Sequence, residues 1–184
     1  MNRVRLVFSG SGGQGVITAA IILAEAAVIH EGMNATQSQS YGAAARGGST
    51  RSDIIISDSE IDFPEVTQPN ILVCLTQDAY NSYSSIIRPG GLLLTDSRYV
   101  QLTRKVDARQ IELPMYQRVM DQIGKPVVFN ICVLGALIGI TEVIQPKSVM
   151  ATVADRVPKD FIDLNNRAFD LGLVLGAQYR TAMS

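Results

Sequence analysis

Val4-Arg5-Leu6-Val7-Phe8, running straight into Ser9-Gly10-Ser11-Gly12-Gly13-Gln14-Gly15-Val16, is the stretch that decides the fold. The first five residues are apolar except at Arg5 and rich in β-formers, as a buried strand requires. The run from Ser9 to Gly15 carries too many glycines for a regular element and reads as a turn. Residues 16–29 are dense in Ala, Ile and Leu and predict a helix. Its apolar positions cover more than one face, so it should be buried on two sides. Gly32 stands where a helix commonly ends. Gly10, Gly12 and Gly15 satisfy G-x-G-x-x-G between strand and helix, with Gly13 and Gln14 inside the same turn. The first amides of the helix point at whatever lies above such a turn. An anion there gains hydrogen bonds and ~0.3–1 kcal/mol from the helix dipole. The dinucleotide form of the motif also places an acid roughly 20 residues further on. That region reads Asn34-Ala35-Thr36-Gln37-Ser38, without one. The glycines therefore mark either an anion site or simply a sharp turn from strand to helix.

Working outward, residues 33–37 suggest a short second strand and 38–48 a loop. Residues 50–57 read as a strand with Ile54 and Ile56 on one face and Arg51, Asp53 and Ile55 on the other. No helix fits between these two strands, so an antiparallel pairing and a mixed sheet are expected. Residues 71–75 and 92–95 are buried strands, and 111–113 a further one closed by Pro114. Thr76 is placed to cap the helix after 71–75, with Asp78 in its first turn and Pro89-Gly90-Gly91 as its stop. Helices are predicted over 115–123 and 130–140, from Lys147 after Pro146, and over 160–179. Residues 1–184 thus predict a single three-layer, Rossmann-like α/β domain, with a mixed, mostly parallel sheet and a helical C-terminal part.

The segment Ser38-Gln39-Ser40-Tyr41-Gly42-Ala43-Ala44-Ala45-Arg46-Gly47-Gly48 is the second unusual one. In an open α/β sheet, ligands gather beyond the carboxyl ends of the strands, and this loop should leave the second strand on that edge. It offers hydroxyls from Ser38, Ser40 and Tyr41, an amide from Gln39, and in Arg46 a permanent cation suited to phosphate or carboxylate. A docking surface for another subunit would use the same residues.

Composition narrows the function classes. Of 184 residues, 47% are hydrophobic and 18% charged, which excludes a disordered chain. The formal net charge of −1, without a basic block, argues against nucleic acid. No apolar stretch is long enough to span a bilayer and no targeting segment is visible, so a cytoplasmic protein is expected. Cys74 and Cys132 lie too far apart in sequence to build an iron–sulfur cluster and read as core residues. His30 has no partner for a metal or a nucleophile. No lysine follows the glycine turn as a P-loop demands. With no catalytic or metal-binding set in view, a subunit or binding module is favoured over a free-standing enzyme.

Gly10 to Val16 with its Ala-rich helix resembles the opening of the gamma subunits of 2-oxoacid:ferredoxin oxidoreductases. Further resemblances are Gln37 to Gly42 with Arg46-Gly47-Gly48, Ser52-Asp53-Ile54 with Ser57-Asp58, and Pro69-Asn70-Ile71-Leu72-Val73. Pro89-Gly90-Gly91 before Asp96, and Asn130 with Leu134-Gly135-Ala136, complete a likeness that spans nearly the whole chain. It implies a subunit of a complex that decarboxylates a 2-oxoacid on thiamine diphosphate, passes electrons through iron–sulfur clusters to ferredoxin, and releases an acyl-CoA. Thiamine and clusters would belong to other subunits or domains, the candidate partners being alpha, beta and a ferredoxin-like delta subunit. The gamma-type chain would help to hold coenzyme A, through Gly10, Gly12, Gly13, Gln14, Gly15, Ser40, Tyr41, Arg46 and Gly47, and would be inactive alone. The Ser-Gln-Ser-Tyr-Gly and Arg-Gly-Gly pattern resembles the 2-oxoglutarate branch more than the pyruvate or ketoisovalerate ones. Ala43-Ala44-Ala45 departs from the pattern and leaves those positions without a polar role. The alternatives are a free-standing dinucleotide-binding protein and a purely structural scaffold subunit. Expressed alone, the chain could also form a homo-oligomer through the surface meant for its partners.

Overall fold

The computed structural model describes residues 3–41 and 49–182, without the side chains of Tyr41, Thr181 and Ala182. The six strands among them are β1 (Arg3–Gly10), β2 (Asn34–Tyr41), β3 (Thr50–Ser57), β4 (Ile71–Cys74), β5 (Gly91–Asp96) and β6 (Ala108–Leu113). The helices are α1 (Val16–Glu31), α2 (Gln77–Tyr83), α3 (Met115–Gln122), α4 (Phe129–Thr141), α5 (Pro146–Arg156) and α6 (Ile162–Ala182). The strands form one sheet in the order β2-β3-β1-β4-β5-β6. β1 pairs parallel with β4, β4 with β5 and β5 with β6, while β3 is antiparallel to both β1 and β2. Only β3 runs against the rest, so the sheet is mixed and mostly parallel.

Alternation divides the core. Leu6, Phe8, Ile54, Ile56, Val73 and Leu94 face a thick layer that includes α1 and α4. Val7, Ile55, Leu72, Cys74 and Leu93 face the other side, covered by Ala79 and Tyr80 of α2 together with Val66 and Val100 from loops. The three layers are therefore unequal. α1 is buried along most of its length, but Val28 and Ile29 near its end remain exposed. Gly32, at φ +65°, is its left-handed cap, and its N–H reaches the Ala27 carbonyl. The Thr76 side chain accepts from the Ala79 N–H and starts α2. α2 ends at Tyr83, well before Pro89-Gly90-Gly91, which instead shapes the turn into β5.

Two boundaries move. β1 continues through Ser9 and Gly10, because Ser9 pairs with Arg51 and Gly10 with Thr50. β2 also continues through Ser38 to Tyr41, in place of a loop from 38, because it pairs with β3 from Asn34↔Ser57 to Tyr41↔Thr50. Its polar side chains disguise it: as the outermost strand it needs no apolar outer face.

The helical part holds one contact that the sequence reading did not foresee. α4 and α6 cross with their backbones almost touching. A Cβ at Gly135 would lie 2.1 Å from the Phe169 carbonyl oxygen, and one at Gly172 would lie 1.9 Å from that of Cys132. Gly139 and Gly176 repeat the arrangement one turn along, at 2.4 and 2.2 Å.

Candidate functional site

Gly10 sits beside Thr50, and Thr50 beside Tyr41. The glycine turn, the start of β3 and the end of β2 therefore meet at the carboxyl edge of β1, the edge at which open α/β sheets bind ligands. β2 ends at this edge. Arg46 and Gly47 lie outside the described residues, as does the Tyr41 side chain. Ser40 is exposed at the end of β2, one residue from that edge.

Gly12–Gln14 forms a single 3-10 turn, closed by Gln14 N–H donating to the Ser11 carbonyl at 3.1 Å. The Gln14 side chain works within the fold. Its Oε1 accepts from the Ser11 N–H at 2.9 Å, and its Nε2 donates to the Leu75 carbonyl at 2.8 Å. It thereby clamps the turn to the residue after β4. Ser11-x-x-Gln14 has the spacing of a capping box, a sequence signal for this clamp.

The glycines divide by surroundings. A Cβ at Gly10 would stand 2.5 Å from Gln14 Oε1. Gly15, at φ +68°, adopts a conformation that favours glycine, and a Cβ there would meet Asn130 Nδ2 at 2.6 Å. By contrast, among the described residues nothing lies within 4 Å of a Cβ at Gly13, and only Thr50 Oγ1, at 3.9 Å, near one at Gly12. Gly10 and Gly15 build the turn, while Gly12 and Gly13 present bare backbone to the space above it.

That space is a cleft of about 480 Å³ between the turn and the start of α4. Thr18, Val128, Asn130, Phe161 and Asn165 line it beside the glycines. Asn130 Nδ2 donates to the Gly15 carbonyl at 3.3 Å and ties α4 to the turn. A lone Asn at the head of an apolar helical run was the only sequence signal for this tie. Arg156 on the far wall is held by Glu25, with Nε donating to Oε2 at 2.6 Å. The Arg156 hydrogen bond keeps the Glu25 carboxyl below its ordinary range. The cleft thus offers backbone amides, side-chain amides and an apolar wall, suited to orienting a ligand with an anionic group and an apolar arm.

Further along the edge, Asp96 ends β5 and is fully buried. Its carboxylate accepts from the Arg98 N–H at 2.9 Å and from the Tyr116 N–H at 2.7 Å, capping α3. Burial raises its pKa despite these bonds. Tyr99, Tyr116 and Phe129 pack edge to face beside it, with the Arg98 guanidinium 4.9 Å from the Tyr116 ring centre. Cys74 and Cys132 are both buried, which pushes the Cys74 thiol up strongly and the Cys132 thiol up to about 12. Neither suits a thiolate ligand. Among the described residues no cluster of His, Cys, Asp and Glu is placed to hold a metal.

The fold is an α/β domain with a cleft beside the glycine turn at the carboxyl edge of its sheet. The comparisons give the family. Residues 5–175 match the model of the pyruvate ferredoxin/flavodoxin oxidoreductase domain. The chain is 41% identical to the 2-oxoglutarate synthase subunit KorC of Methanocaldococcus jannaschii, over 92% of each chain. It superposes with a TM-score of 0.88 on the gamma subunit of a keto/oxoacid ferredoxin oxidoreductase from Geobacter sulfurreducens, at 38% identity, covering 97% of this chain and 98% of that one. A 2-oxoglutarate:ferredoxin oxidoreductase from Magnetococcus marinus shares the fold, with a TM-score of 0.85 at 19% identity over 97% of this chain and 32% of that one. The chain belongs to the 2-oxoacid:ferredoxin oxidoreductase family and is a gamma-type subunit of it.

Proposed function

We propose that this subunit serves a complex oxidising 2-oxoglutarate to its acyl-CoA, where it helps to hold coenzyme A and to assemble the enzyme. The observation that carries the reading is the bare backbone of Gly12 and Gly13 facing a partly apolar cleft on the carboxyl edge of β1. Coenzyme A pairs several phosphates with a long arm in which two amides alternate with apolar methyl and methylene groups, and the cleft offers backbone amides, side-chain amides and an apolar wall. The curated relative named above is a subunit of 2-oxoglutarate synthase. The Magnetococcus marinus enzyme, whose fold this chain shares, was solved with 2-oxoglutarate, coenzyme A and succinyl-CoA bound.

In this reading the backbone of Gly12, Gly13 and Gly15 receives phosphate, and Gly10 serves by letting the chain turn beneath them. Ser40, Tyr41, Arg46 and Gly47 approach from the neighbouring strand and the segment after it. Gln14 acts indirectly, by holding the turn. Thiamine diphosphate and iron–sulfur clusters reside in partner subunits, ferredoxin takes the electrons, and the chain alone turns nothing over in the cytoplasm.

The test is capture of the tagged chain from its native extract, followed by assay of coenzyme A-dependent ferredoxin reduction with 2-oxoglutarate, pyruvate and ketoisovalerate. Co-purifying activity that prefers 2-oxoglutarate supports the assignment, and preference for another oxoacid overturns the branch. In the same complex, Arg46→Ala should raise KM for coenzyme A several-fold and leave KM for the oxoacid alone. An unchanged KM for coenzyme A removes Arg46 from the site.

A further inference from the structure

Among the described residues, β2 is the outermost strand of the sheet and lacks the features that normally protect such an edge. From Asn34 to Tyr41 it carries no Lys, Arg, Asp, Glu or Pro, and it pairs without a bulge along all eight residues. Its outer row of N–H and C=O groups is a template for another strand. Beside it, α1 exposes Val28 and Ile29 at 46% and 64%. These border a groove of about 390 Å³, with Ile21, Glu25, Ala35 and Gln37 among its other walls.

We infer that β2 pairs antiparallel with β2 of a second copy of this chain, giving a continuous twelve-stranded sheet across a two-fold axis. Charge favours a self-complementary contact. An uncharged strand meets its own copy without repulsion in any register. The acids of α1 are already engaged within their own chain: Glu25 binds Arg156, and Glu31 accepts from the Gln145 N–H at 2.6 Å. Spacing favours it as well. α1 packs over β2 and β3. With strands about 4.8 Å apart, α1 stands about 5 Å from the two-fold axis. The two α1 axes then lie about 10 Å apart, at the upper end of normal helix packing. Val28 and Ile29 of each copy would fill the groove of the other, covering apolar surface and hydrogen-bonding groups in one contact. The inference does not depend on the coenzyme A reading.

Sedimentation equilibrium of the purified full chain tests it. A dimer is expected at micromolar concentration, and Ile29→Asp should weaken it at least 100-fold, make melting independent of protein concentration, and leave the circular dichroism spectrum unchanged. Since both native thiols are buried, Thr36→Cys or Ser38→Cys should supply the reactive thiol, and one of them should give a disulfide-linked dimer on mild oxidation. A chain that stays monomeric throughout, or a dimer indifferent to Ile29→Asp and cross-linked by neither cysteine, overturns the inference. It also falls if the chain is monomeric and Ile29→Asp blocks only assembly with partner subunits, since the edge would then belong to a strand of a different chain.

Discussion

The glycine turn and the crossing of α4 with α6 use the same residue for opposite ends. At the crossing, every missing Cβ lets one backbone press on another, and all four glycines are filled against by main-chain atoms. In the turn only Gly10 and Gly15 are so confined, and they are confined by side chains, while no described residue crowds Gly12 or Gly13. Glycine at the crossing serves packing alone. Glycine in the turn serves both shape and access.

Substitution separates these roles. The largest effect belongs to the crossing. Gly172→Val should destabilise the chain by more than about 3 kcal/mol, because the Cys132 carbonyl cannot yield unless the helices part. Urea unfolding measures it, and a loss below about 1 kcal/mol would mean that α4 and α6 are less tightly apposed.

Gly15→Ala comes next, at about 2 kcal/mol, combining a left-handed conformation with displacement of Asn130. Asn130→Ala in the same chain should recover the part due to the clash. A double-mutant cycle with no coupling would break the link between turn and helix.

Asp96→Asn should follow, at about 1–2 kcal/mol, since the Arg98 and Tyr116 N–H groups bond different carboxylate oxygens and the amide replaces one of these by a donor. The pH dependence is diagnostic. Burial raises the pKa of the folded carboxyl, so the folded chain binds this proton more tightly than the unfolded one. The Asp96 contribution is full below the unfolded value near 4 and is lost as pH rises through the folded value. Stability should fall across that window in the native chain, and this component should vanish in Asp96→Asn.

The smallest effect on stability is expected at Gly13→Ala, within about 0.5 kcal/mol, because the methyl meets nothing. In the assembled enzyme the same methyl should raise KM for coenzyme A. A silent Gly13→Ala in both assays would reduce the turn to a purely structural element.

What the sequence made legible follows from how strongly each residue is constrained locally. The run 4–8, the glycine turn and the Gly32 cap were readable because apolar period and glycine geometry act over a few residues. The start of α2 at Thr76 was readable for the same reason. β2 was read short because an edge strand exposed to solvent carries Asn, Thr, Gln and Ser, which look like loop. The pairing of β3 with β1 was not foreseen, since nothing local records a partner 40 or more residues away. The α4/α6 crossing was missed although Gly135, Gly139, Gly172 and Gly176 repeat at four-residue spacing, because such a pattern gains meaning only when two helices are known to meet. At the site, the edge and its turn were anticipated, but Gln14 proved to be a clamp and Asn130 a tie. Both roles depend on contacts across the fold.

The reversed strand β3 also sets an order of events during folding. It pairs with β2 over separations of 9 to 23 residues and with β1 over 40 to 54, from Tyr41↔Thr50, Asn34↔Ser57, Gly10↔Thr50 and Arg3↔Ser57. Closing the shorter loop is favoured by about 1.3 kcal/mol in chain entropy. The β2–β3 hairpin is therefore expected to form first and to dock on β1 as a preassembled ribbon. The edge that carries the glycine turn is completed only at that docking step.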